Sequence, residues 1–196
     1  SERFAKKNRM GFFPAGGIAW VVSSEPFMGS ISNVVSYMKF RASYGRVGND
    51  GIISKPRFVF IPTIGSENVA DPEPFTTTLS RFKIESYANN DIRWEIAEQV
   101  NLGLESKLFG GIFEFTLDAF QEVRHNILSY RTVIPASMGL EEIPLDNVGK
   151  ARTRGMEFSG KIQHAFSNDT WIILNGTLTY SQSKYLELEE ATDKPK

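Results

Sequence analysis

The sequence predicts an all-β protein: an antiparallel meander of the kind that builds a transmembrane β-barrel, with short turns at one end and long loops at the other. Three observations point there. Between Trp94 and Glu122, apolar and polar residues alternate through two runs joined at Gly110-Gly111, and a period of two is the mark of a sheet with one apolar and one polar face. Along the whole chain, every second connection between such runs is long and the others are short, as in a meander with tight turns on one side of a membrane and large loops on the other. Aromatic residues flank the short turns (Phe109, Phe113, Phe166, Trp171) and the long loops (Tyr44, Trp94, Tyr180, Tyr185), where amphipathic rings favour the headgroup level.

The elements follow in order. Phe12 to Val22 is a first strand candidate, weakened by Pro14 and Gly16-Gly17. Ser23 to Ser36 reads as a turn region with a helical half-turn at Ile31 to Val35. Met38 to Tyr44 is a clear strand, with Met38, Phe40, Ala42 and Tyr44 opposing Lys39, Arg41 and Ser43. Arg46 to Asp91 is a long excursion broken by Pro56, Pro62, Pro72 and Pro74, with short extended pieces at Arg57 to Ile61 and Thr76 to Ile84. In the central hairpin, Ile96, Val100, Leu102 and Leu104 oppose Glu95, Gln99, Asn101, Gly103 and Glu105; Phe113, Phe115, Leu117 and Ala119 oppose Glu114, Thr116, Asp118 and Glu122. Arg124 to Arg154 reads as irregular, with Pro135, Gly139, Pro144 and Gly149. Gly155 to Phe166 and Trp171 to Ser183 form a last hairpin around Ser167-Asn168-Asp169, a turn of suitable chemistry.

Composition narrows the function classes. The 196 residues carry a net charge of -1, which draws in no nucleic acid, and no cysteine, which excludes disulfides and thiolate metal sites. No run approaches the roughly 18 apolar residues of a membrane helix. A mean hydropathy below zero suits a soluble protein, and equally a membrane barrel in which only alternate residues meet lipid. Ser1-Glu2-Arg3-Phe4 opens without a signal peptide, like the middle of a longer molecule.

Catalysis finds little footing. The two histidines, His125 and His164, are far apart and lack ligand spacing; there is no metalloprotease motif, phosphate loop or nucleophile elbow. No cofactor or metal is expected. The two faces carry the functional expectation instead. Arg41, Glu95, Glu105, Glu114, Asp118, Glu157 and Lys161 share the polar parity; in a barrel they face the lumen, and their mixed signs suit an interlocking salt-bridge network. Met38, Phe40, Val100, Leu102, Leu104, Phe113, Phe115, Leu117, Phe158, Ile162, Leu174 and Leu178 share the apolar parity and face lipid. A solvated face on a soluble sheet needs the same alternation, so a β-sandwich carbohydrate-binding module stays open at this point. Phe58, Phe60, Phe75 and Tyr87 in the long excursion could stack on a sugar or pack the loop on itself. Nothing identifies a substrate-binding residue.

Four stretches resemble the SusC/RagA family of TonB-dependent outer-membrane transporters of the Bacteroidetes. They are Gly11-Phe12-Phe13-Pro14 with Trp20-Val21-Val22-Ser23-Ser24-Glu25 and Phe27; Lys39-Phe40-Arg41-Ala42-Ser43-Tyr44-Gly45 with Gly48-Asn49; Asn90-Asp91-Ile92-Arg93-Trp94-Glu95 leading to Gln99 and Asn101-Leu102-Gly103-Leu104; and Asn147-Val148-Gly149 with Gly155-Met156-Glu157. Glu105, Thr153 and Phe40 depart mildly from the family pattern. The resemblance implies the C-terminal part of a TonB-dependent receptor barrel, so that residues 1–196 are one partial barrel domain, with plug, N-terminal part and closing strands outside it. About six strands cannot close a plugged barrel of roughly 22.

The resemblance further implies a bacterial outer-membrane location and import of oligosaccharides or oligopeptides. It implies a SusD-like surface lipoprotein as partner, and coupling to TonB through the missing N-terminal part. A siderophore or cobalamin receptor without the lipoprotein is the nearest rival, and a non-transporting adhesin barrel a weaker one.

Overall fold

The computed structural model describes residues 1–50, 58, 60–70, 78–131 and 143–188. Among the described residues eight strands form: β1 (Ala15–Val21), β2 (Val35–Asn49), β3 (Thr63–Ala70), β4 (Thr78–Ser86), β5 (Glu95–Leu108), β6 (Phe113–Tyr130), β7 (Leu145–Ala165) and β8 (Trp171–Glu187). Six make one antiparallel sheet in the order β1-β2-β5-β6-β7-β8, and β3-β4 are a separate two-stranded hairpin within the excursion between β2 and β5. The result is a meander in which sequence neighbours are sheet neighbours, apart from the excursion.

Backbone register carries the alternation from strand to strand. Trp20 lies opposite Phe40, Phe40 opposite Leu104, Leu104 opposite Leu117, Leu117 opposite Phe158 and Phe158 opposite Leu178. The next row toward the long loops runs Ile18, Ala42, Leu102, Ala119, Met156 and Tyr180. A slip of one residue at any pair would turn a strand's apolar set over; no slip occurs across this belt. The opposite face reads Arg41, Gly103, Asp118, Glu157 and Thr179 in one row. Ser106 stands on the apolar side, where its buried hydroxyl donates to the Tyr37 carbonyl at 3.1 Å, so no polar group is left unpaired there.

Burial is sparse. Hydrophobic residues make up 41% of the sequence, yet the only buried ones among the described residues are Phe4, Val22, Met28 and Ile92. Leu178 is 70% exposed, and Trp20, Phe40, Leu102 and Leu174 are exposed as well. An apolar face this broad and uncovered marks a surface that meets an apolar environment rather than water.

The two ends of the sheet differ. At the turn end, β5 and β6 join through Phe109–Gly111, with Phe109, Gly110 and Gly111 all in the left-handed region (φ 54°, 68° and 91°), a conformation that glycine adopts without steric cost. β7 and β8 join through a tight turn closed by Phe166 N–H to Thr170 O at 2.9 Å. Phe109, Phe166 and Trp171 are exposed there. At the loop end a small core forms: Phe4 and Ile92 are about fully buried, with Trp94, Leu128 and Leu145 against them.

Several sequence expectations change. Of the stretch expected to be irregular, residues 124–130 and 145–154 are strand: β6 runs on to Tyr130 and β7 starts at Leu145, while 132–142 lie outside the described residues. These extensions carry polar residues on both parities (Arg124, His125, Asn126; Asp146, Asn147, Arg152), so the two-residue contrast that reveals a strand is missing. Leu145, Leu128 and Asn147 are instead held by the loop-end core and its hydrogen bonds. The helical half-turn expected at Ile31 to Val35 lies earlier, as 3-10 turns at Val22–Ser24 and Pro26–Ile31, where Pro26 presets the first turn. The first strand begins at Ala15 rather than Phe12. The piece expected at Thr76 to Ile84 is β4, while in Arg57 to Ile61 positions 57 and 59 lie outside the described residues and the others are turn and bend. Trp94 is no free interfacial ring, since it packs on Phe4 at 5.2 Å and Phe13 at 5.3 Å.

Candidate functional site: the polar face of the wall

The polar face is organised around one missing side chain. Gly103 sits between Arg41 on β2 and Asp118 on β6. A Cβ placed there would lie 2.4 Å from Arg41 Nε and 2.7 Å from Asp118 Oδ1. With no Cβ, the Arg41 side chain lies flat across β5 and its Nη2 donates to both oxygens of Asp118 at 2.7 Å. Arg41 Nε also lies 3.3 Å from Glu105 Oε1, an ion pair without hydrogen-bond alignment. Lys39 Nζ donates to the same Glu105 oxygen at 3.3 Å. Three adjacent strands are thus stapled by one chain of alternating charge.

Two further groups extend the pattern. Toward the turn end, Lys107 pairs with Glu114 at 3.3 Å. Toward the loop end, Gln99 Nε2 donates to Glu122 at 2.6 Å, Arg124 Nε donates to the other Glu122 oxygen at 2.5 Å, and Arg124 Nη1 lies 3.9 Å from Glu95. Exposed and half-exposed pairs of this kind contribute about 1 kcal/mol or less each. The network therefore fixes side-chain positions on the face more than it stabilises the sheet. Beside Arg41 a shallow cleft is lined by Gly17, Ala19, Ser43 and Asn101. Asn101 Oδ1 is buried without a hydrogen-bond partner, an acceptor available to a donor from whatever covers this face.

The sequence-predicted polar set is only partly united. Arg41, Glu105 and Asp118 come together; Glu95 and Glu114 belong to the separate groups described above. Glu157 and Lys161 have no ion pair among the described residues, although Glu157 stands directly opposite Asp118 and Lys161 opposite Glu114. Lys39, Lys107, Gln99, Glu122, Arg124 and Gly103 complete the network and were not singled out as site residues. Parity already places Lys39, Gln99, Gly103 and Glu122 on the right face, whereas Arg124 stands in the stretch read as irregular and Lys107 beyond the residues read by parity; the strand register needed to pair them is not readable from one sequence. All twelve residues expected on the apolar parity lie on the apolar face by register. Around Ala42 that face dips into a furrow lined by Ile18, Trp20, Phe40, Leu102, Leu104 and Leu117.

His125, in the stretch expected to be irregular, lies within β6, with Nε2 3.5 Å from Glu98 Oε2. His164 packs edge-on against Phe166 at 4.8 Å. Phe58 and Phe60 meet edge to face at 6.2 Å, packing that part of the excursion on itself, and Phe75 lies outside the described residues. No group of three or more metal-ligating side chains occurs among the described residues.

Comparison with known proteins agrees with a wall. The sequence matches the family described as TonB dependent receptor-like, beta-barrel, over residues 1–195. It is 30% identical to TonB-dependent receptor P3 of Formosa agariphila, covering 87% of this chain and 16% of that protein. It is 25% identical to TonB-dependent receptor SusC of Bacteroides thetaiotaomicron, covering 98% of this chain and 19% of that one. The chain thus spans less than a fifth of the length of these relatives. Among solved structures, the RagAB peptide importer in its open-open state superposes with a TM-score of 0.79 at 21% identity, over 95% of this chain and 19% of that chain. The closed-closed state gives 0.77. At that identity the likeness speaks for the fold.

Proposed function

This chain belongs to the TonB dependent receptor-like β-barrel family of the bacterial outer membrane, and from that premise we propose that it forms one arc of the wall of a nutrient importer. The apolar face meets lipid, the polar face lines the lumen, and the long-loop end faces outward. The observation that carries this reading is the uncovered apolar belt: six strands in unbroken register present large side chains that nothing in the described residues buries. In hydrocarbon every backbone group must be paired, so both outer strands, β1 and β8, require neighbours from the rest of a larger wall.

The work of this arc is positional. On the lumen side, the Arg41–Asp118 staple across Gly103 and the open acceptor of Asn101 give a plug domain fixed polar partners, and Glu157 and Lys161, in no ion pair among the described residues, serve the same purpose. Import draws its energy from TonB through the plug, and the substrate class is oligosaccharide or oligopeptide, by kinship with SusC and with the RagAB peptide importer. A SusD-like lipoprotein caps the loop end. Siderophore import without such a lid is the rival, and co-purification of a lipoprotein with the intact protein separates the two.

The lumen assignment has a direct test. In the intact protein, Asp118→Ala and Glu157→Ala should leave outer-membrane assembly near normal while changing uptake of a labelled oligosaccharide or peptide. Equal collapse of assembly and uptake in both variants would overturn the assignment.

A further inference from the structure

The apolar face changes character toward the loop end. Two residues beyond the Met156–Tyr180 pair, Arg154 stands opposite Gln182; two further on, Arg152 stands opposite Lys184. On the other side, β6 offers Gln121 to Arg154 and Val123 to Arg152. Neither arginine has an acid across from it on either neighbouring strand. Arg154 Nη2 reaches only Gln182 Oε1, at 3.4 Å, and none of Arg152, Arg154 and Lys184 is in an ion pair among the described residues. Farther along the same row, on β2 and β5, Arg46 pairs with Glu98 at 3.2 Å, and His125 on β6, one row nearer the loops, approaches the same carboxylate at 3.5 Å. Like charges directly opposite each other destabilise a sheet, so an Arg152–Lys184 pair without a counter-charge calls for an anion from outside.

Position names the anion. At about 3.3 Å per residue, Arg154 and Arg152 lie roughly 7 and 13 Å along the strand beyond Met156, at the level where hydrocarbon gives way to headgroups. Tyr180, exposed on the same face one row nearer the turns than Arg154, marks the inner edge of that level as an interfacial ring. Guanidinium groups match phosphate oxygens in geometry as well as charge.

We propose that Arg152, Arg154 and Lys184 form a binding site for the phosphate-bearing headgroup of an outer-leaflet lipid, whose acyl chains lie along Met156, Phe158 and Leu178. This rests on the reading of the apolar face as lipid-facing. The site ties the barrel to anionic lipid on one side of its circumference.

The test uses the intact protein in nanodiscs of phosphatidylcholine containing phosphatidic acid, with native mass spectrometry counting the lipids retained. Wild type should retain phosphatidic acid in preference to phosphatidylcholine. The R152Q/R154Q/K184Q variant should lose that preference, by about fivefold for each charge removed. Lys161→Gln, on the opposite face, should keep it. The inference is overturned if wild type shows no preference, which would mean that the row is neutralised by another part of the protein. Undiminished preference in the triple variant, or an equal loss in Lys161→Gln, would overturn it too. A fluorophore at Leu178→Cys, quenched or not by brominated acyl chains, reports separately on the lipid-facing reading. Quenching with no phosphatidic acid preference sinks the headgroup site alone; absence of quenching sinks both.

Discussion

The turn-end and loop-end halves of the same strands are built on different principles. Near the turns, one face is mainly apolar and the other mainly polar, and burial among the described residues is confined to Val22 and Met28 of the 3-10 turns and to Ser106. Near the loops, both faces turn polar, and stability comes from side chains that grip backbone. Asn147 is the centre of that grip. Its Oδ1 accepts from Arg93 N–H at 2.9 Å, and its Nδ2 donates to Arg93 O at 3.0 Å and to Asn126 O at 2.7 Å. One amide thus copies the pairing of a missing strand, roots the end of the excursion at Arg93, and holds Asn126, whose φ of 58° lies in the left-handed region at a bulge. The lesson is that the first half is specified by its surroundings and the second by its own contacts.

That contrast can be broken at either half. The largest effect is expected in the belt: Leu102→Arg or Leu117→Arg places a charge in hydrocarbon and costs ~2–4 kcal/mol near the midplane. Both variants should assemble poorly in the outer membrane, as read by heat-dependent gel mobility, and normal assembly of both would reverse the facing. A smaller, local effect is expected from Asn147→Ala. It removes the partners of the exposed Arg93 backbone, which water can replace, and of the half-buried Asn126 carbonyl, a loss of about 1 kcal/mol. Assembly should persist while protease cuts faster between residues 60 and 94; unchanged protection would mean that the Phe4–Ile92 core alone holds the loop end.

The smallest effect concerns the N-terminal segment. Lys7 Nζ donates to Asp91 at 2.5 Å, and this hydrogen bond, with the charge of Lys7, lowers the Asp91 pKa from its ordinary 3.8. A depressed carboxylate stabilises the folded contact above its unfolded pKa, and the contribution disappears as pH falls through the lower folded value. Amide exchange around residues 87–92 should therefore be constant from neutral pH down to about 4, after correction for intrinsic rates. It should rise only below that, and less so in high salt. A rise beginning near pH 6 would point to a histidine instead.

The same division explains what could be read in advance. In the belt, Phe40, Leu102, Leu117 and Phe158 announce their face because an apolar row on one side and a polar row on the other follow a period of two. Residues 124–130 and 145–154 lack that contrast, and Pro144 and Gly149 made them look like a loop. Pairings across the polar face were hidden for another reason. Lys39 with Glu105, and Arg41 with Asp118, are 66 and 77 residues apart, and which charges meet depends on register that no local pattern encodes. Gly103 shows this best: in sequence it is a glycine weakening a strand, whereas in the sheet it is the gap through which Arg41 passes.

Lipid contact at the belt can be measured directly. Because the chain has no cysteine, single fluorophores can be attached at Leu102→Cys and at Asp118→Cys in the intact protein reconstituted in bilayers, in a cysteine-free background. Brominated acyl chains should quench the first strongly and the second hardly at all, while a water-soluble quencher should favour the second. Quenching by lipid at Asp118 but not at Leu102 would contradict the account.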